Sequence, residues 1–242
     1  MTTRYDSALA ALATVMDPEL DEPITSLGFV RSLTLSPGGN VKVHLRLPTS
    51  FCSPNFAYLM ASDSKDVLNG LDWTHVVTVE LDDHHDSLII NAGLAADAGY
   101  RGTFGHEADV GLDELRETFR RKAHTAAMER CLTALLRAGF PSESIGSATL
   151  ADLPADDASR ALLHRRAALG LPTGGDSAVL VDHEGRPPED PELALRRARS
   201  TRISIDGNAH FCRGLLGTRY GDETPALPTT FTPLTILEGV HP

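Results

Sequence analysis

One cysteine stands in the segment Leu47-Pro48-Thr49-Ser50-Phe51-Cys52-Ser53-Pro54, between two different local patterns. Upstream, Val41 to Leu47 alternates apolar and polar residues, the mark of a half-buried strand. Downstream, Pro54 suits a first helical turn, where its missing N–H has no partner to lose, and Ser53 can cap that helix through its hydroxyl. Cys52 then precedes a helix N-terminus, where unpaired N–H groups and the helix dipole favour an anion. A thiol so placed loses its proton more readily, and the thiolate is the form that binds metal or attacks electrophiles. The plainer reading is a small apolar residue in a turn.

His210-Phe211-Cys212 is a second set of soft ligands. Two residues apart on a strand, His210 and Cys212 face the same way and could share one metal. Asp17 and Glu19 flank Pro18 at a helix end; they read as loop-ordering residues, or as lining a functional cleft together with Thr49 and Ser53. Cys131 falls among Met128, Leu132 and Leu135 on one helix and reads as core. Asp82-Asp83-His84-His85-Asp86 reads as a solvated polar loop, and Lys42, His44 and Arg46 as the solvated face of a strand.

The elements around these residues can be placed from periodicity. A helix is expected over Asp6 to Met16, a strand over Val30 to Leu35, a turn at Pro37-Gly38-Gly39-Asn40 and a strand over Val41 to Leu47, the pair forming a hairpin. A helix from Pro54 to about Asn69 and a strand from His75 to Leu81 complete an α-β-β-α-β order. The fold class is α+β: a small mixed sheet with helices on one face, then a helical and mixed C-terminal extension. A long helix over Leu112 to about Ala138 stops at Gly139, and a weaker one spans Ala155 to Leu169. Beyond them come a strand candidate at Ala178–Val181, a short basic helix over Pro191–Ser200, and Ile203-Ser204-Ile205 followed by a turn at Asp206-Gly207-Asn208. The Pro- and Thr-rich tail from Gly221 is expected to run extended. The domain boundaries that follow are 5–82, 83–170 and 171–242.

Composition narrows the function. The 242 residues carry 22 basic and 33 acidic side chains, a net charge of −11, which argues against a nucleic-acid surface. No apolar run approaches the roughly 20 residues of a membrane span, and the N-terminus shows no apolar signal-peptide core. Three cysteines, at 52, 131 and 212, are too few and scattered for a disulfide framework, so a reducing, cytoplasmic setting is expected.

Residues Asp6 to Leu81 resemble the small iron–sulfur cluster assembly domain found in the SUF-system accessory protein and the phenylacetyl-CoA oxygenase maturation protein. The resemblance rests on Val15-Met16-Asp17-Pro18-Glu19-Leu20, on Ile24 with Leu27-Gly28-Phe29-Val30, on the strand–loop–Cys–helix segment, and on a final strand after Leu71-Asp72-Trp73. In that family the loop usually reads Thr-x-Pro-x-Cys-Pro; here Pro48 precedes Thr49, and Ser53 separates Cys52 from Pro54.

The resemblance implies an assembly or maturation factor rather than an enzyme. Such a factor loads iron or an iron–sulfur cluster, held transiently, into a client metalloenzyme or receives it from an assembly protein. Longer relatives resemble proteins encoded beside binuclear-iron monooxygenases, which makes such an enzyme a candidate client. One thiolate cannot hold a cluster, which takes about four protein ligands. The others would come from a second copy, in a homodimer pairing two Cys52 residues, or from His210 and Cys212. Two alternatives remain: a non-catalytic adaptor that binds a client apoprotein, and a thiol-dependent enzyme with Cys52 as nucleophile.

Overall fold

The computed structural model describes residues 3–105 and 112–221. Helix α1 (Arg4–Leu12) starts at a capping box, in which the Thr3 hydroxyl accepts from the Asp6 N–H and the Asp6 carboxylate accepts from the Thr3 N–H. It ends a turn earlier than the sequence suggests, and its Ala8 and Leu12 are buried. A two-residue ladder of β1 (Met16–Asp17) and β2 (Glu22–Pro23) follows. The main sheet has the order β3-β4-β5: β3 (Val30–Leu35) runs antiparallel to β4 (Val41–Arg46), and β5 (Val77–Asp82) runs parallel to β4. Helix α2 (Pro54–Asn69) makes the crossover from β4 to β5, which a parallel pair requires. The expected α+β class and α-β-β-α-β order are both present.

The β3–β4 hairpin turns through Gly39 at φ +87°, and a Cβ there would come within 2.5 Å of the Trp73 carbonyl oxygen. Backbone conformation and the space around it both demand glycine. Gly39→Ala is expected to lower the unfolding free energy by about 2 kcal/mol, read as a fall in urea midpoint at unchanged slope.

On β4, Val41, Val43 and Leu45 point into the core, as the alternation requires. The opposite face is less solvated than the sequence suggests. Lys42 pairs with Glu80 at 3.1 Å, and His44 with Asp82 at 2.9 Å, while Arg46 is 3% exposed. Arg46 leaves the solvated face because its guanidinium packs over the Tyr220 ring, 4.7 Å from the centroid, and Nε donates to the Gly28 carbonyl at 3.4 Å.

Two further helices, α3 (Ser87–Ala95) and α4 (Gly99–Phe104), pack beside β5 and α2. Asn91 of α3 binds both the N–H and the carbonyl of Leu81 at the outer edge of β5, imitating a further strand. Ile90 and Leu94 join the first core, with Val43, Leu45, Tyr58, Leu68 and Leu81.

A second core lies between α5 (Leu112–Arg137), α6 (Asp157–Ala168) and the first half of α7 (Pro191–Tyr220). It holds Met128, Cys131, Leu132, Leu162, Leu180, Leu195 and Ala198. Cys131 is buried there, and burial pushes its thiol up to about 11.

Helix α7 corrects the sequence reading. The short helix, the Ile203–Ile205 segment, the turn at Asp206–Asn208 and the strand expected to carry His210 and Cys212 are all parts of one 30-residue helix. Ala178 forms only an isolated bridge with Thr149. The expectation of an extended tail falls on residues 222–242, outside the described residues. No helix among the described residues is long and apolar enough to cross a membrane.

Candidate functional site

The loop between β4 and α2 is held from two sides. Beneath it, His84 is 5% exposed rather than solvated: its Nδ1 accepts from the Asp86 N–H at 3.0 Å, so the proton sits on Nε2, which donates to the Cys52 carbonyl at 2.8 Å. The His85 N–H donates to the Ser50 carbonyl at 2.9 Å, and the His85 ring stacks against the 83%-exposed Phe51. Within the loop, the Thr49 hydroxyl lies 3.4 Å from Cys52 Sγ and accepts the Phe51 N–H at 3.2 Å.

Pro54 opens α2 as the sequence suggests, and Ser53 occupies the cap position. The Ser53 side chain does not cap, however. Its hydroxyl turns to Asn55 Oδ1, which also accepts the Phe56 N–H at 3.0 Å. Cys52 is half-buried at the mouth of α2 and packs against the first core.

From above, α7 brings Cys212 to the same place. Cys212 packs against the first core and lies within electrostatic reach of Cys52, Asp17 and Glu19. Burial, then the charge of nearby groups with Asp17 foremost, pushes the Cys212 thiol up to about 11, so it is protonated at neutral pH.

Asp17 is 7% exposed, and its Oδ1 accepts the N–H groups of Glu19 and Leu20 at 2.9 and 2.8 Å. Burial raises its pKa to about 6 despite those two bonds. Glu19 accepts from Asn208 Nδ2 of α7 at 3.1 Å. Asp17 thus orders its loop, and its charge also reaches Cys212.

Of the residues named from sequence, Cys52, Thr49, Asp17, Glu19 and Cys212 converge on one region. Ser53 borders it, with its hydroxyl engaged by Asn55. His210 does not join. On a helix, residues two apart project about 200° from one another, so with Cys212 facing inward His210 is exposed. Among the described residues no group of three or more His, Cys, Asp or Glu side chains is gathered closely enough to hold a metal ion.

The sequence reading missed Arg219. It donates to the Leu47 carbonyl at 3.2 Å, to Ser50 Oγ at 2.7 Å and to the Asp83 carbonyl at 2.5 Å. Its signal was its place in a recurrence of three and four residues along α7, which only a continuous helix makes visible.

Residues 6–81 match the profile of a family described as iron-sulfur cluster assembly protein. A curated relative, the iron-sulfur cluster carrier protein of Mycobacterium leprae (strain TN), is 52% identical over 42 residues, 17% of this chain. The match spans 11% of that relative's length. No solved structure matches. Residues 6–81, which hold the main sheet and the thiol at the β4–α2 junction, are thus the part of this chain that matches an iron-sulfur cluster assembly domain.

Proposed function

We propose that this chain takes part in the assembly or carriage of iron–sulfur clusters, with Cys52 as the thiol that contacts the cargo. The observation that carries the reading is the place of Cys52 in the family domain: half-buried at the mouth of α2, on a loop held from beneath by His84 and faced from above by Cys212. The cargo is a substrate in transit. Transfer is a ligand exchange, in which a thiolate of this chain replaces one on the donor and is replaced in turn at the acceptor, each thiol losing its proton as it binds.

Cys52 and Cys212 supply at most two of the roughly four ligands a cluster takes. The remainder would come from the partner, a client metalloenzyme or an assembly protein, or from a second copy of the chain. A binuclear-iron monooxygenase is the candidate client suggested by the longer relatives the sequence resembles. Three free thiols fit a reducing, cytoplasmic setting.

A second reading is a non-catalytic adaptor that holds a client apoprotein. It draws on one observation: no group of three or more potential metal ligands is gathered among the described residues.

Anaerobic reconstitution with ferrous iron and sulfide separates the two, with iron measured after desalting and the visible spectrum recorded. Wild type is expected to retain iron with cluster absorption, and Cys52→Ser to retain about tenfold less. Equal retention in both would remove Cys52 from the reading, and none in either would favour the adaptor.

A further inference from the structure

Helix α7 begins in the second core and ends on the Cys52 loop. Along its second half the inward residues recur at intervals of four and three: Ile205, Ala209, Cys212, Leu216 and Arg219. Ala209 enters the first core, and Cys212 and Leu216 lie against it. Leu216 packs over Gly28, where an added Cβ would come within 3.3 Å of its Cδ2.

The rest of the attachment is polar, with one aromatic contact, the Tyr220 ring over the Arg46 guanidinium. Asn208 binds Glu19, Arg213 pairs with Glu22, and Arg219 spans Leu47, Ser50 and Asp83. The Asn208–Glu19 and Arg213–Glu22 pairs are exposed and hold weakly, because water competes for both partners.

The helix itself is also built weak here. Gly207, Gly214 and Gly217 lie within α7, and among the described residues a Cβ added at any of them would meet nothing within 4 Å. Among the described residues, packing gives no reason for glycine at these positions. Each makes the helix about fivefold less favourable than alanine would. The result is a segment that reaches the Cys52 loop, is fastened at its rim and carries three helix-weakening residues on its free side.

We propose that residues 205–220 are a displaceable cover over Cys52, a device that regulates the site assigned above and rests on that assignment. Closed, the cover holds Cys212 and Leu216 against the first core and Arg219 on the Cys52 loop, so a partner's ligands reach Cys52 only past the helix. Open, it frees Cys52 together with the carboxylates of Glu19 and Glu22, so a partner gains the thiol and the acidic rim in one movement.

The test is the rate of iodoacetamide alkylation of each cysteine, followed by mass spectrometry on the full, metal-free chain under anaerobic conditions. In the triple variant Gly207→Ala, Gly214→Ala, Gly217→Ala, Cys52 is expected to react between about tenfold and a hundredfold more slowly, since alanine favours the closed helix. In Arg219→Ala, which removes three hydrogen bonds, Cys52 is expected to react about tenfold faster. Cys131, in the second core, reports global opening and should keep its rate in every protein. Equal Cys52 rates across the three proteins would overturn the cover, as would Cys131 changing in step with Cys52. Because no iron is present, failure here is distinct from failure of Cys52 to retain a cluster.

Discussion

Replacing Glu129 by alanine is expected to lower the unfolding free energy by about 3 kcal/mol, read as a fall in the urea midpoint with little change in slope. Glu129 is 0% exposed on α5, and every bond it makes is to a named partner. Oε1 accepts from Thr133 Oγ1 at 2.7 Å and from Arg199 Nε at 3.1 Å, and Oε2 accepts from Arg202 Nε. Burial alone would raise its carboxyl pKa; the three hydrogen bonds outweigh that and hold it below the ordinary value. Alanine would leave a cavity and strip two guanidiniums of α7 of their anion. The loss sits at the low end of the range for breaking a buried pair, because the Arg199 and Arg202 side chains are 49% and 24% exposed and keep some water. Glu129→Gln keeps the shape and the Thr133 contact and should lose about half as much. A loss under about 1 kcal/mol for alanine would mean that Asp206, which Arg130 and Arg202 also bind, carries the joint between α5 and α7.

What the sequence disclosed and what it hid divide along a physical line. The first domain is written in short-range signals: strict alternation on Val41–Leu47, turn glycines at Gly38 and Gly39, and a proline where a helix can accept it at Pro54. Each is a local conformational constraint, and each is where the sequence placed it. Cys52 was legible for the same reason, since its place follows from the elements on either side.

The second half of α7 was not legible because its local signals point elsewhere. Ile203-Ser204-Ile205 alternates like a strand, and Asp206-Gly207-Asn208 has the composition of a turn. Tertiary contacts override both: Asp206 is taken by Arg130 and Arg202, Asn208 by Glu19, and Ala209 by the first core. The recurrence Leu195, Ala198, Arg202, Ile205, Ala209, Cys212, Leu216, Arg219 runs at intervals of three and four throughout, but three of its eight members are not aliphatic or aromatic, so it is faint as a hydrophobic pattern. Reading that stretch as a strand put His210 and Cys212 on one face; reading it as a helix separates them and gives Cys52 a different neighbour. His84 was obscured differently, since nothing local shows that a histidine in a run of polar residues will be buried under a loop 32 positions upstream.

Asp17→Asn is expected to stabilise the protein at pH 8 by about 1 to 3 kcal/mol and to bring no gain at pH 4. The sign follows from the raised pKa. In the unfolded chain Asp17 titrates near its ordinary 3.8, whereas in the fold it titrates at about 6. Between those values the folded state binds more protons than the unfolded one, so Asp17's contribution to stability falls as pH rises, and its cost is complete above about pH 6. Asparagine removes the charge and keeps an oxygen for the Glu19 and Leu20 N–H groups. The comparison must be a difference between variant and wild type at each pH, because His124 opposes it in an overlapping window. Burial, helped by Arg166, Arg165 and His183, pushes His124 down to about 4, so its contribution is lost as pH falls from 6.5 toward 4. The variant should also change the thiols: with the Asp17 charge gone, Cys212 loses one cause of its raised pKa and should alkylate faster at pH 8, while burial still holds it above the ordinary value. A stability gain without a change at Cys212 would confine Asp17 to its loop. Both effects together would mean that the wild-type carboxylate accepts a cost in stability where it keeps the neighbouring thiol protonated.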